Sequence, residues 1–353
     1  MRLRANVIAV VVAVLVATGG WAISRNGHDA RAPLTQALDV LPPDTRVAGF
    51  TDWAQIRSTL GFDRITSAID RDSLVSNAFE RDLSARSVLE GFAETMVAKY
   101  GWSIADLRWE MYGQASRGAV LVAGMNDELK AGKVTSGLRK LGYAEQGGIW
   151  SIDIDKLAQV VPGLPETFSN IAVLGNERLI LAGDQKPYLA GVLEMHRDHA
   201  KSLAGVVAAR QTAAPLVGAQ SAVIEVTADA CRATGLTDEP ADVRAQGRNT
   251  VKPLGKLATV KYGARAIFDR AGDQQVRFSM TFGSAVQATR QLQLRSALTT
   301  GPFIGRTGQI GDVLTLTSTH SSGPNMSLDF DVDADKGSFM NGEGPLLFAA
   351  CSA

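Results

Sequence analysis

The sequence predicts an α+β fold, with antiparallel or mixed sheets and helices packed on one face, preceded by one N-terminal transmembrane helix. Three observations carry this prediction. One is an apolar run of membrane-spanning length near the N-terminus; the others are paired apolar segments split by short turns, and helical stretches interleaved among them.

The apolar run extends from Ala5 to Ser24 with only Asn6 and Thr18 as interior polar side chains. A bilayer core about 30 Å thick needs roughly 20 such residues as helix, so the run is long enough to span. Arg2 and Arg4 precede it and place the N-terminus in the cytoplasm, against a weaker contribution from Arg25 and Arg31 on the far side. Ala17-Thr18-Gly19 is a poor cleavage site, which favours an uncleaved signal anchor; removal as a signal peptide is the alternative. The expected organisation is a cytoplasmic tail over 1–4, a transmembrane anchor over 5–24, a linker over 25–40, an extracytoplasmic α+β domain over 41–230 and a second α+β subdomain over 231–353. The chain is then single-pass in the cytoplasmic membrane, with the lipid bilayer as its first partner.

Beyond the linker the elements follow in order. Arg46 to Asp52 reads as a strand entered through Pro42-Pro43, and Trp53 to Leu60 as a helix that Gly61 stops. Ser73 to Tyr100 is mostly helical by the spacing of Leu89, Phe92, Ala93, Met96 and Tyr100, and Gly101 closes it. Gly118 to Gly124 is a continuous apolar strand, of the kind buried on both sides. A helix over Val134 to Leu141 precedes a strand over Ile149 to Ile154. Ile171 to Leu174 and Leu179 to Ala182 flank Gly175-Asn176-Glu177 as a hairpin, followed by a long helical region from Pro187 to Arg210, with a break expected near Ser202, and a strand over Ala222 to Thr227. Ala264 to Phe268 and Val276 to Phe282 form a second hairpin. Ser284 then starts a helix, with Gln287 completing a capping box, that runs to Leu298. Val313 to Thr319 and Met326 to Val332 form a third hairpin around Ser321 to Asn325.

Composition narrows the function. Of 353 residues 45% are hydrophobic and 20% charged, enough for a sizeable core. Lys plus Arg and Asp plus Glu balance at 36 each, so no basic field draws nucleic acid. The two cysteines, Cys231 and Cys351, lie in the part expected to be extracytoplasmic, where a disulfide is the natural state. Two separately buried thiols are the alternative, given the small apolar neighbours Ala349 and Ala350.

Several segments carry a resemblance. Leu41-Pro-Pro-Asp-Thr45 before a strand, Trp102-x-x-x-Asp106 leading to Gly118–Gly124, the hairpin Ile171 to Gly183 and Ser202-Leu203-Ala204 before a strand near Val223 are together similar to an uncharacterised family of exported, membrane-anchored bacterial proteins. Usage rich in Ala, Val, Arg and Gly looks actinobacterial. The resemblance covers roughly residues 41 to 335 and implies an extracytoplasmic α+β domain with no assigned activity and no transferable site residues.

The chemistry-bearing residues are few. His196 and His199 are three apart, within reach of one metal on a helix face, but HExxH spacing is absent and His196 falls on the apolar stripe of Leu189, Val192, Leu193, Ala200 and Leu203. A packed histidine is the commoner outcome of that placement. Asp329, Asp331, Asp333 and Asp335 alternate with Leu328, Phe330, Val332 and Ala334. Counted from Asp331 the calcium-loop glycine is Lys336 and the closing glutamate is Gly342, so a strand with aspartates on its wet face is the better reading. Gly305-x-x-Gly308-x-x-Gly311 lacks the ending of a phosphate loop, and no Gly-x-Ser-x-Gly elbow is present. Trp102, Trp109, Met111 and Tyr112 suit core packing better than a ligand cage.

No cofactor is expected. The favoured reading is a membrane-anchored protein acting by noncovalent contact with envelope proteins or lipids. A carrier or sensor of an apolar ligand is the alternative, and an enzyme with a nonstandard site the second alternative.

Overall fold

The computed structural model describes residues 31–270, 272–332 and 345–352. The expected tail and transmembrane anchor lie outside the described residues. Among the described residues no helix is long and apolar enough to cross a membrane.

Twelve strands run in chain order: β1 Val47–Thr51, β2 Leu107–Ala115, β3 Gly118–Met125, β4 Ala144–Gln146, β5 Ile149–Ser151, β6 Asn170–Leu174, β7 Leu179–Gly183, β8 Ser221–Val226, β9 Tyr262–Arg270, β10 Asp273–Thr281, β11 Leu314–Ser322 and β12 Asn325–Val332. The helices are α1 Pro33–Val40, α2 Trp53–Leu60, α3 Ala68–Glu80, α4 Ala93–Tyr100, α5 Ala131–Lys140, α6 Ile154–Val160, α7 Lys186–Arg197, α8 Val207–Ala213, α9 Thr227–Thr234, α10 Ala241–Val251 and α11 Ala285–Ser296. The strands form a single sheet in the order β11-β12-β10-β9-β8-β1-β2-β3-β7-β6-β5-β4, and every pairing is antiparallel.

The expectation of helices on one face is corrected. β3 sends Val120 and Val122 into one apolar cluster and Leu121, Ala123 and Met125 into the other, and β7 divides Leu179 and Leu181 from Ile180 and Ala182 in the same way. A strand apolar on both sides must be covered on both sides. Core residues of α2 to α6 and α9 to α11 join the first cluster, whereas those of α1, α7 and α8 join the second. The expected division after residue 230 falls inside α9, and β8 pairs with β9 across it, so the sheet is continuous.

The expected linker over 25–40 holds a helix in its last part. Pro33 opens α1 in the position where proline costs no hydrogen bond, and Leu34, Ala37, Leu38 and Val40 are buried. The expected helix over Ser73 to Tyr100 is two helices, α3 and α4. The chain breaks between them at Asp82, which takes a left-handed φ of 56°. Ser284 caps α11 by accepting the Gln287 N–H at 3.2 Å, but Gln287 Oε1 accepts from the Gly283 N–H rather than closing the box on Ser284. Trp102, Trp109 and Met111 are fully buried, and the Trp109 ring covers Gly124, where a Cβ would stand 2.7 Å from it.

Residues 345–352 complete the core. Cys351 is bonded to Cys231 of α9 with Cα atoms 5.2 Å apart. Phe348 packs against Phe278 and Phe330 at ring-centroid distances of 5.0 and 5.1 Å. The fully buried Arg295 of α11 donates to Phe348 O at 2.8 Å, Ala258 O at 3.0 Å and Gln291 Oε1 at 3.1 Å. The disulfide closes a separation of 120 residues, worth about 4–5 kcal/mol in the chain-entropy model. Replacing both cysteines with serine is expected to lower unfolding free energy by about 2–5 kcal/mol in urea titrations; a midpoint matching the unaltered chain at equal slope contradicts that role.

Candidate functional site

A cleft of about 830 Å³ opens beside the three-helix layer, and the two histidines singled out in the sequence line it. Its walls come from four places. α1 contributes Thr35 and Asp39, four residues apart and so on one side of the helix, and Arg31 comes from the segment leading into it. The β6–β7 turn supplies Glu177. The last turn of α7 supplies Met195, His196 and Arg197, and the segment after it His199 and Lys201; Arg210 comes from α8.

The metal reading of His196 and His199 rested on their sharing a helix. α7 ends at Arg197, and His199 lies beyond it with a φ of 50°. The end is a Schellman motif: the Ala200 N–H donates to Met195 O at 2.9 Å and the His199 N–H to His196 O at 3.3 Å. This geometry ordinarily takes glycine at the position His199 occupies. His196 Nε2 contacts the Glu177 carboxylate. Among the described residues no group of three or more His, Cys, Asp or Glu side chains is placed to hold a metal ion.

Charge distinguishes the cleft. Asp39 is paired with Arg31, and Glu177 with His196. Arg197, Lys201 and Arg210 are exposed and make no ion pair among the described residues. In a chain balanced at 36 cations and 36 anions, the cleft therefore concentrates uncompensated positive charge.

The aspartate series resolves differently. Asp329 is buried rather than on a wet face. Its carboxylate accepts from Arg277 Nε at 2.5 Å, Arg277 Nη2 at 3.0 Å and Ser318 Oγ at 2.6 Å. Burial raises its pKa, but the hydrogen bonds from Arg277 and Ser318 with the nearby positive charge outweigh burial and hold it below the usual carboxylate range. Asp331 is exposed and accepts from Gln275; Asp333 and Asp335 lie outside the described residues. His320 Nε2 stands 3.1 Å from Ser318 Oγ and 3.5 Å from Asp329 Oδ2. One nitrogen thus faces both groups, whereas a catalytic triad uses the two imidazole nitrogens for two different partners.

Burial raises four further carboxyl groups, Asp52, Glu90, Glu110 and Glu225, and none of them lines the cleft. Burial pushes Glu110 of β2 up to about 7, against the hydrogen bond that its Oε1 accepts from the Val88 N–H at 3.0 Å. Burial likewise raises Asp52 to about 6, although it caps α2 by accepting the Gln55 N–H at 2.9 Å. Glu110 faces Thr51, and Thr51 faces Ser221 on the next strand, so a polar row crosses the middle of the sheet. Convergence of perturbed groups in one cleft, the mark of an enzyme site, does not occur at the cleft described here. A cavity lined by apolar Ala230, Val260, Phe278 and Met280 measures about 20 Å³, too small for a lipid chain.

No family model matches the chain, and no curated protein matches it. Among solved structures it is similar to TP0453. Crystal form I of that protein aligns at a TM-score of 0.42 and 8% identity, covering 85% of this chain and 93% of that one. Form III gives 0.36 and 9% over 85% and 95%, and form IV 0.34 and 8% over 84% and 92%. Likeness at this level assigns no activity.

His199→Gly is expected to stabilise the fold by about 0.5–1 kcal/mol, because glycine adopts the left-handed conformation without steric cost. A drop in thermal midpoint contradicts that account. Glu110 sets a pH dependence. The unfolded chain ionises this carboxyl near its ordinary value of 4.5 and the folded chain near 7, so stability falls as pH rises through that window, by roughly 3 kcal/mol in all. Glu110→Gln is expected to flatten the fall between pH 5 and pH 8 in denaturant titrations, leaving the smaller contribution of Asp52; a slope equal to that of the unaltered chain sinks the assignment.

Proposed function

We propose that this chain is a membrane-anchored extracytoplasmic protein that acts by noncovalent binding within the cell envelope, with the cleft between α1, α7 and α8 as its binding surface. The single observation that carries the binding part is the cleft itself. It has ligand dimensions, and its exposed cations are not neutralised by neighbouring carboxylates. The anchor part is supported by the apolar run Ala5 to Ser24, and the extracytoplasmic part by the bond between Cys231 and Cys351, a bond that persists in oxidising compartments.

Tethering makes weak contacts effective by raising local concentration at the membrane surface. The domain needs no steep affinity of its own to hold a neighbour in the same membrane. Alkaline phosphatase fused after Ala353 is expected to be active, and the full-length fusion to stay with the membrane fraction. An inactive phosphatase beside a bright cytoplasmic fluorescent fusion reverses the orientation. Release of full-length protein into the soluble fraction removes the anchor.

A further inference from the structure

We propose that the cleft binds a phosphate-bearing anion, and that in the cell it takes the headgroup of an anionic phospholipid from the membrane holding the chain. The proposal rests on the binding function given above and names the ligand class. Arg197, Lys201 and Arg210 reach the cleft from the end of α7, the segment after it and α8. Three cations from three backbone segments surround one space rather than lying along one solvated helix face. Guanidinium groups match phosphate oxygens in pairs, and an ammonium adds a point charge.

Of the two carboxylates on the walls, Asp39 is engaged by Arg31, and Glu177, in contact with His196, leaves the three cations in excess even beside a neutral imidazole. The carbonyl end of α7 adds a partial negative charge. Its Met195 and His196 carbonyls are occupied by the Ala200 and His199 N–H groups. Glycine at 205 leaves space for the Lys201 stem; a Cβ there would stand 2.9 Å from Lys201 Cγ. His199 holds a left-handed backbone that glycine would adopt without cost, and it keeps an imidazole on the cleft wall by doing so.

The membrane source follows from chain length. Seven residue steps separate Ser24, the end of the apolar run, from Arg31 on the cleft wall, and seven extended residues reach no further than about 25 Å. A cleft with that tether meets lipid headgroups at far higher local concentration than a free solute.

The test follows amine-reactive labelling of Lys201 by mass spectrometry, with exposed Lys252 as internal reference, on the full-length chain. In detergent micelles the probe is glycerol 3-phosphate. In nanodiscs, phosphatidylcholine alone is compared with phosphatidylcholine containing phosphatidylglycerol. Slowing of Lys201 labelling by about threefold or more, the protection given by a ligand at twice its Kd, is the expected result in the phosphatidylglycerol discs. Loss of that slowing in Arg197→Ser/Arg210→Ser, at unchanged melting temperature, completes the support. Slowing by glycerol 3-phosphate in micelles without any lipid effect keeps the phosphate site and overturns the lipid as its source. Equal slowing in both disc types, slowing that survives the double substitution, or none with either probe overturns the proposal. A chain that fails to enter the discs overturns the anchor instead, and the micelle measurement then still decides the cleft.

Discussion

The rest of the structure depends on a sheet whose central strands are apolar on both faces. β3 and β7 cannot satisfy that pattern against one layer of helices, so the chain builds two layers, and the second is assembled from α1, α7 and α8. α7 and α8 are neighbours in sequence, whereas α1 lies far before them. Where they meet, the Leu203 N–H donates to Leu41 O at 2.8 Å, tying the segment after α7 to the end of α1. The cleft lies at this junction, so its position follows from how the sheet is covered.

Charge is handled in two contrasting ways. Inside the fold two arginines are held by several acceptors each. Arg277 is held by Asp329 and also donates to Pro215 O at 2.5 Å, and Arg295 donates to two carbonyls and the Gln291 amide. Burial lowers the pKa of Arg295 to about 9, which shows how much of its hydration the core removes. Its three hydrogen bonds offset part of that loss. In the cleft the opposite holds: the cations stay in water, cost little in stability, and remain available to a ligand. On the proposed binding function, stability and recognition draw on different charges.

Much of the fold was legible in the residues. The β6–β7, β9–β10 and β11–β12 hairpins follow from alternation around turn sequences, and Gly118 to Gly124 announced a strand buried on both sides, a signal at odds with the expectation of helices on one face. β2 was not legible. Its Arg108 and Glu110 interrupt an apolar reading, and a bulge between Leu107 and Trp109 shifts the alternation. α1 was hidden by brevity, although Pro33 followed by Leu34, Ala37 and Leu38 was its signal. The interruption of the helical region was expected near Ser202; α7 stops earlier, at Arg197, and a left-handed His199 carries no glycine to mark that position. The candidate site was legible only in His196 and His199, and for a different chemistry. Its other cations are drawn from positions 31 to 210, and no spacing rule links residues that only the tertiary fold brings together.

The seating of residues 345–352 has a consequence for how the chain reaches this state. Phe348 and Cys351 fill the core beside strands that precede them in the sequence, and Leu346 bonds back to Thr234 O at 3.1 Å. A polypeptide emerging N-terminus first presents all twelve strands before the segment that finishes the packing of β10 and β12. During that interval the apolar surface awaiting Phe348 is open and the Cys231 thiol has no native partner. Contacts this distant in sequence form slowly, because the loop they close must first be ordered. The last residues thus act as a latch, and a nascent chain halted before them carries its sheet with an unfilled socket and a reactive sulfur.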